Sequence, residues 1–118
     1  MPKSFKEFVQ EARESGISEI DAGRLQEKME RRERFTLIDV RDPDEWEKGT
    51  IPGAVLLSKG KLELHIADHV SNPEEELILH CGGGSRSLLA AKSLRDMGYP
   101  NVKSLSGGYR GWKEYKSE

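Results

Sequence analysis

A single cysteine, Cys81, stands where a strand-like run, Glu76-Leu77-Ile78-Leu79-His80, meets Cys81-Gly82-Gly83-Gly84-Ser85-Arg86-Ser87 and the helix-forming Leu88-Leu89-Ala90-Ala91. A thiol at a helix N-terminus faces unpaired backbone N–H groups and the positive end of the helix dipole. Both favour the thiolate, which is the reactive form. Three consecutive glycines let the backbone adopt left-handed or otherwise unusual angles, so that N–H groups converge on one point. Such a nest binds an anion: a thiolate, a persulfide or a substrate oxyanion. Arg86, five positions after the cysteine, puts a permanent cation at the mouth, and Ser85 and Ser87 offer hydroxyls to the first helical turn. The blander reading is an inert core cysteine beside a connecting turn. Three glycines, an arginine and a helix start around one thiol weigh against it.

The elements that must position this loop alternate between strand and helix. Ser4 is a candidate N-cap for a helix over residues 4–13, with Phe5, Phe8, Val9 and Ala12 on one face and Gly16 beyond its end. Ile17 to Ile20 reads as a short strand, and Asp21 as the N-cap of a helix carrying Ala22, Leu25 and Met29. Phe35 to Val40 is nearly continuous apolar and β-branched, which suits a strand buried on both faces. Asp42-Pro43-Asp44-Glu45 has the form of a capping box with proline at the first helical position, opening a short helix that should stop near Gly49. Ala54 to Leu57 is expected as a third strand. Leu62, Leu64 and Ile66 alternate like a strand, but Leu62, Ile66 and Val70 keep helical spacing; the need for a crossover decides for helix. Leu77 to Leu79 is the next strand, Ser85 to Met97 a helix ended by Gly98 and Pro100, and Val102 to Leu105 the last strand. Gly107-Gly108 leads into a terminal helix bearing Trp112.

This order implies one α/β domain over 1–118, with a mostly parallel central sheet flanked by helices on both faces and residues 1–16 as an N-terminal helical extension. Ligands bind such sheets beyond the carboxyl ends of the strands, which is where Cys81 falls.

Composition narrows the class. The chain has 19 basic and 21 acidic residues, a formal net charge of −2, so no net basic field draws it to nucleic acid or to an anionic membrane. One cysteine rules out an intramolecular disulfide. Met1 to Gln10 carries charges throughout and lacks an apolar signal-peptide core, and no apolar run is long enough to span a bilayer. The expectation is a cytoplasmic domain. The glycines form neither Gly-x-Gly-x-x-Gly nor a Gly-x-x-x-x-Gly-Lys-Ser/Thr loop, so nucleotide binding is not indicated.

Other polar residues receive structural readings. Asp39 and Arg41 flank the end of a strand as candidates to line the site, but a structural role is favoured, with Arg41 pairing Glu45. Trp46 and Trp112 read as packing. His65 and His69, four apart, have no third ligand nearby, so no metal is expected. His80 should point away from Cys81, since neighbours on a strand face opposite sides.

Four motifs together resemble a single-domain rhodanese. They are Leu37-Ile38-Asp39-Val40-Arg41 with Glu45, Gly49-Thr50-Ile51-Pro52-Gly53-Ala54, Cys81 to Ser87, and Leu105-Ser106-Gly107-Gly108 with Trp112. The resemblance runs from about Ile17 to Trp112. It implies the rhodanese-like fold and transfer of sulfane sulfur through a persulfide on Cys81, with Gly82, Gly83, Gly84, Ser85, Arg86 and Ser87 holding the substrate. One departure is Thr50, where the family commonly has histidine. Four residues separate Cys81 from Arg86, whereas related cysteine-dependent phosphatases use one more to cradle a tetrahedral phosphate. The shorter loop favours sulfur over phosphorus.

The expected reaction is a two-step exchange in which the thiolate takes the outer sulfur of a small anion such as thiosulfate and hands it to cyanide, a thiol or a protein acceptor. No cofactor is required. A persulfide carrier or binding module serving a protein partner is the alternative, and a phosphatase or arsenate reductase a weaker one.

Overall fold

The computed structural model describes residues 1–117. Five strands form one wholly parallel sheet in the order β1-β5-β4-β2-β3. The strands are β1 (Ser18–Ile20), β2 (Thr36–Asp39), β3 (Val55–Leu56), β4 (Leu77–His80) and β5 (Val102–Leu105). Between and around them run α1 (Phe5–Glu14), α2 (Ala22–Glu30), α3 (Pro43–Trp46), α4 (Lys59–His69), α5 (Ser85–Asp96) and α6 (Gly108–Lys116).

Local chemistry accounts for the helix starts. Ser4 and Glu7 close a reciprocal capping box at 3.1 and 3.0 Å. Asp21 accepts the Arg24 N–H at 2.8 Å. At α3 the Asp42 N–H donates to Glu45 Oε1 at 3.1 Å, and Pro43 occupies the first turn, where no N–H is needed. The ambiguous segment after Ser58 is the helix α4, burying Leu62 and Ile66. The third strand is shorter than the run Ala54 to Leu57: Val55 and Leu56 lie in register with Ile38 and Asp39, and the Leu57 N–H donates to the Asp39 carbonyl at 3.1 Å.

β4 lies at the centre and is buried along its whole length. Its two faces serve two cores. Leu77, Leu79 and Cys81 face the side of α1, α4 and α5 with Ile38, Val40, Leu62, Ile66, Leu88 and Leu94. Ile78 faces the side of α2 and α6 with Leu25, Leu37, Leu105 and Trp112. Each fully buried aliphatic side chain contributes about 1.5–3 kcal/mol, so these two layers fix the sheet and the strand ends. The N-terminal extension is part of this packing: α1 lies on α5 and buries Val9 and Ala12. At the amino end of the sheet, Lys28 is held between Glu33 at 2.7 Å and Glu76 at 2.8 Å, with Lys103 on Glu76 at 2.8 Å.

No helix among the described residues is long and apolar enough to cross a membrane.

Candidate active site

β4 delivers Cys81 to the carboxyl edge of the sheet, and Gly84 turns the chain into α5. Gly84 is the N-cap of that helix with φ +105°, a conformation that side-chain-bearing residues rarely adopt. This turn folds the amides back on the sulfur. The Gly84 N–H donates to Cys81 Sγ at 3.1 Å and the Ser87 N–H at 3.3 Å. The N–H groups of Gly82, Gly83, Ser85 and Arg86 have no protein acceptor among the described residues. An anion above the sulfur would meet donors already in place.

The thiol is recessed: Cys81 is only 1% exposed. Its Sγ lies 3.4 Å from Ser87 Oγ, which in turn lies 2.8 Å from Ser104 Oγ and donates to the Gly84 carbonyl at 3.3 Å. Ser104 is fully buried on β5, opposite Leu79 in register. Sequence reasoning passed over it. Its one signal is a hydroxyl residue in a strand whose same-face neighbour, Val102, is apolar core.

Arg86 stands at the rim but does not present an unpaired cation. Its guanidinium forks onto Glu45 at 2.8 and 3.0 Å, with Asp42 at 4.0 Å. The arginine hydrogen bond outweighs burial and holds the Glu45 carboxyl down at about 2, while the same bond drives the Arg86 guanidinium up. The expected pairing of Arg41 with Glu45 is therefore corrected: Glu45 takes Arg86.

Arg41 turns instead to Asp39. Its Nε and Nη2 reach the two carboxylate oxygens at 3.0 and 2.8 Å, and Nη2 also donates to the Gly49 carbonyl at 2.7 Å. Thr50 Oγ1 adds a bond to Asp39 at 2.6 Å. Burial pushes the Asp39 carboxyl up, but the Arg41 and Thr50 hydrogen bonds and the neighbouring His80 more than offset it, leaving it below its usual range. Both residues are buried on the face opposite Cys81, so neither lines the sulfur site. Thr50, at the position of the family's histidine, is thus a hydrogen-bond donor to this buried pair. His80 lies with them, 3.5 Å from Thr50 and 3.7 Å from Asp39, as strand alternation required. Burial lowers the His80 imidazole to about 4, against the opposing pull of Asp39.

The last helix completes the site from the other side. The Tyr109 N–H donates to the Cys81 carbonyl at 2.7 Å and the Arg110 N–H to the Gly82 carbonyl at 3.1 Å. This approach needs a bare backbone at Gly108, where a Cβ would lie 2.5 Å from the Cys81 carbonyl oxygen. Gly108 also has φ +58°.

The comparisons agree with this geometry. The family model of the rhodanese-like domain matches residues 21–115. Human thiosulfate:glutathione sulfurtransferase is 33% identical over 96 residues, covering 71% of this chain and 84% of that protein. The Bacillus subtilis "Putative sulfur carrier protein YrkF" is 32% identical over 98 residues, 83% of this chain; the chain spans about half, 52%, of that relative's length. A solved Rhodopseudomonas palustris protein of unknown function, named a possible tyrosine phosphatase, superposes with a TM-score of 0.84 at 29% identity, covering 98% of this chain and 96% of that one. With a family match over most of its length and a sheet, loop and closing helix to suit, the chain belongs to the rhodanese-like sulfurtransferase family.

Proposed function

We propose that this domain transfers sulfane sulfur from thiosulfate or a related anionic donor to a thiophilic acceptor through a persulfide on Cys81. The observation that carries this reading is the pair of amides, Gly84 and Ser87, aimed at the sulfur from the seven-residue stretch Cys81 to Ser87. In the first step the thiolate forms an S–S bond to the outer sulfur of thiosulfate. The S–S bond of the donor breaks and its electron pair leaves with sulfite. In the second step cyanide or a thiolate attacks the outer sulfur of the persulfide, and Cys81 departs as thiolate. Charge is conserved in both steps and no redox partner is needed.

The loop would act on the outer sulfur. Its unpaired amides are positioned to donate charge-assisted hydrogen bonds to the anionic sulfur source and then to the persulfide, and such bonds are roughly twice as strong as neutral ones. With Cys81 ionised, the Ser87 hydroxyl would turn its hydrogen from the Gly84 carbonyl to the inner sulfur, with Ser104 as its remaining partner. Arg86, bound to Glu45, has the role of fixing the loop to α3 rather than of holding the donor by itself.

A mass spectrum of the intact protein after thiosulfate treatment should show one added sulfur atom, removed again by cyanide with release of thiocyanate. Cys81→Ser should abolish both. Thiocyanate formed by that variant at the wild-type rate would refute the assignment. A stable persulfide with slow cyanolysis would favour the carrier reading, which the sulfur-carrier relative suggests. Cys81-dependent hydrolysis of an aryl phosphate would favour the phosphatase reading suggested by the Rhodopseudomonas protein.

A further inference from the structure

The two sides of the Cys81 mouth differ in charge. On the α3 side, Arg86 is neutralised by Glu45 at 2.8 Å, and Asp42 adds a second carboxylate at 4.0 Å. That side offers an incoming anion no net positive charge. On the α6 side stands Arg110, exposed and without a carboxylate partner among the described residues. Its guanidinium lies over the loop: a Cβ on Gly83 would be 3.4 and 3.5 Å from its two terminal nitrogens, and one on Gly82 4.0 Å from Nη2. These are ordinary van der Waals distances, so the guanidinium lies directly against the backbone of the loop. The Arg110 backbone N–H is bonded to the Gly82 carbonyl at 3.1 Å and the preceding Tyr109 N–H to the Cys81 carbonyl. The backbone that carries the cation is thereby tied to the backbone that carries the nucleophile.

We propose that Arg110 is the donor-recognition residue, gripping the sulfonate head of a doubly charged donor while its outer sulfur points down toward Cys81. The inference rests on the sulfurtransferase reading. A planar guanidinium matches a sulfonate edge with two parallel N–H donors, and the same contact persists on the departing sulfite. Because thiosulfate carries a negative charge on its oxygens in addition to that on its outer sulfur, Arg110 favours it over singly charged thiosulfonates, in which an alkyl group replaces one oxygen and the head is neutral.

The test compares wild type, Arg110→Gln and Arg110→Lys in steady-state cyanolysis with thiosulfate and with methanethiosulfonate. A charged hydrogen-bond pair corresponds to roughly a tenfold change in affinity, so Arg110→Gln should raise the thiosulfate KM about tenfold with kcat nearly unchanged. The methanethiosulfonate KM should move less, and Arg110→Lys should recover part of the loss. Equal KM changes for the two donors, or none, would overturn the proposal. Direct binding separates it from the parent reading: thiosulfate titrated calorimetrically into Cys81→Ser should bind, and binding should weaken about tenfold in Cys81→Ser/Arg110→Gln. Loss of that difference sinks the role of Arg110 whatever the turnover. Arg110-dependent binding by a protein that forms no persulfide would sink the sulfurtransferase reading alone.

Discussion

Ser87 is the residue through which the sulfur touches the rest of the fold. It gives Cys81 its N–H, lies against Sγ with its hydroxyl, and shares a hydrogen bond with Ser104. Replacing Ser104 by alanine removes that partner without opening the loop. The expected result is a loss of roughly three- to tenfold in kcat/KM for cyanolysis, the scale of one hydrogen bond, with an unchanged near-ultraviolet circular dichroism spectrum. Arg86 calls for a different measurement. Its fork is what holds Glu45 at about 2, so Arg86→Ala should return the Glu45 carboxyl toward its ordinary range in an NMR titration. The sign follows directly. Glu45 has a depressed folded value, so its stabilising contribution is present above about 4.5 and fades as pH falls toward 2. In Arg86→Ala that part of the acid sensitivity should vanish.

At the scale of elements, the docking of α6 on the Cys81 loop carries a sharp expectation. Gly108→Ala forces a Cβ to 2.5 Å from the Cys81 carbonyl at a residue with φ +58°. Either α6 or the loop must shift. Denaturant unfolding should record a loss of about 1–3 kcal/mol, as for other overpacked sites, and persulfide formation should slow with it; an unchanged midpoint and rate would contradict the docking role. The same element shows where sequence reading ends. The cysteine loop was legible because its chemistry is contiguous: seven residues specify the turn, the donors and the sulfur. The first three helices were legible because Ser4, Asp21 and Asp42 announce their starts. Ser104 and Arg110 were not, since β4–β5 pairing and the seating of α6 bring them to the loop. Arg41 misled for a related reason. Glu45 follows it by four positions, but Arg41 precedes the N-cap Asp42, so no helical phase joins the two. Its partner, Asp39, lies on the preceding strand.

For the whole molecule, the sheet divides two kinds of chemistry between consecutive residues. Cys81 faces the α5 side, while His80 faces the buried Asp39–Arg41 pair. Burial of His80 makes the fold sensitive to mild acid. Its folded value of about 4 lies below the ordinary value of 6.5, so the unfolded chain takes up a proton first. Stability is full above about 6.5 and declines as pH falls toward 4, by an amount on the order of 3 kcal/mol. His80→Gln should flatten chemical-denaturation stability across that window. A slope identical to wild type would show that His80 is not the group responsible.

Under the proposed chemistry, a recessed nucleophile would also make the resting and loaded proteins look different from outside. At 1% exposure, Cys81 is screened from bulky electrophiles, whereas a second sulfur stands one bond, about 2 Å, further out. A large maleimide should therefore label the charged form quickly and the empty form slowly, so that cargo rather than the enzyme is what passing reagents first encounter.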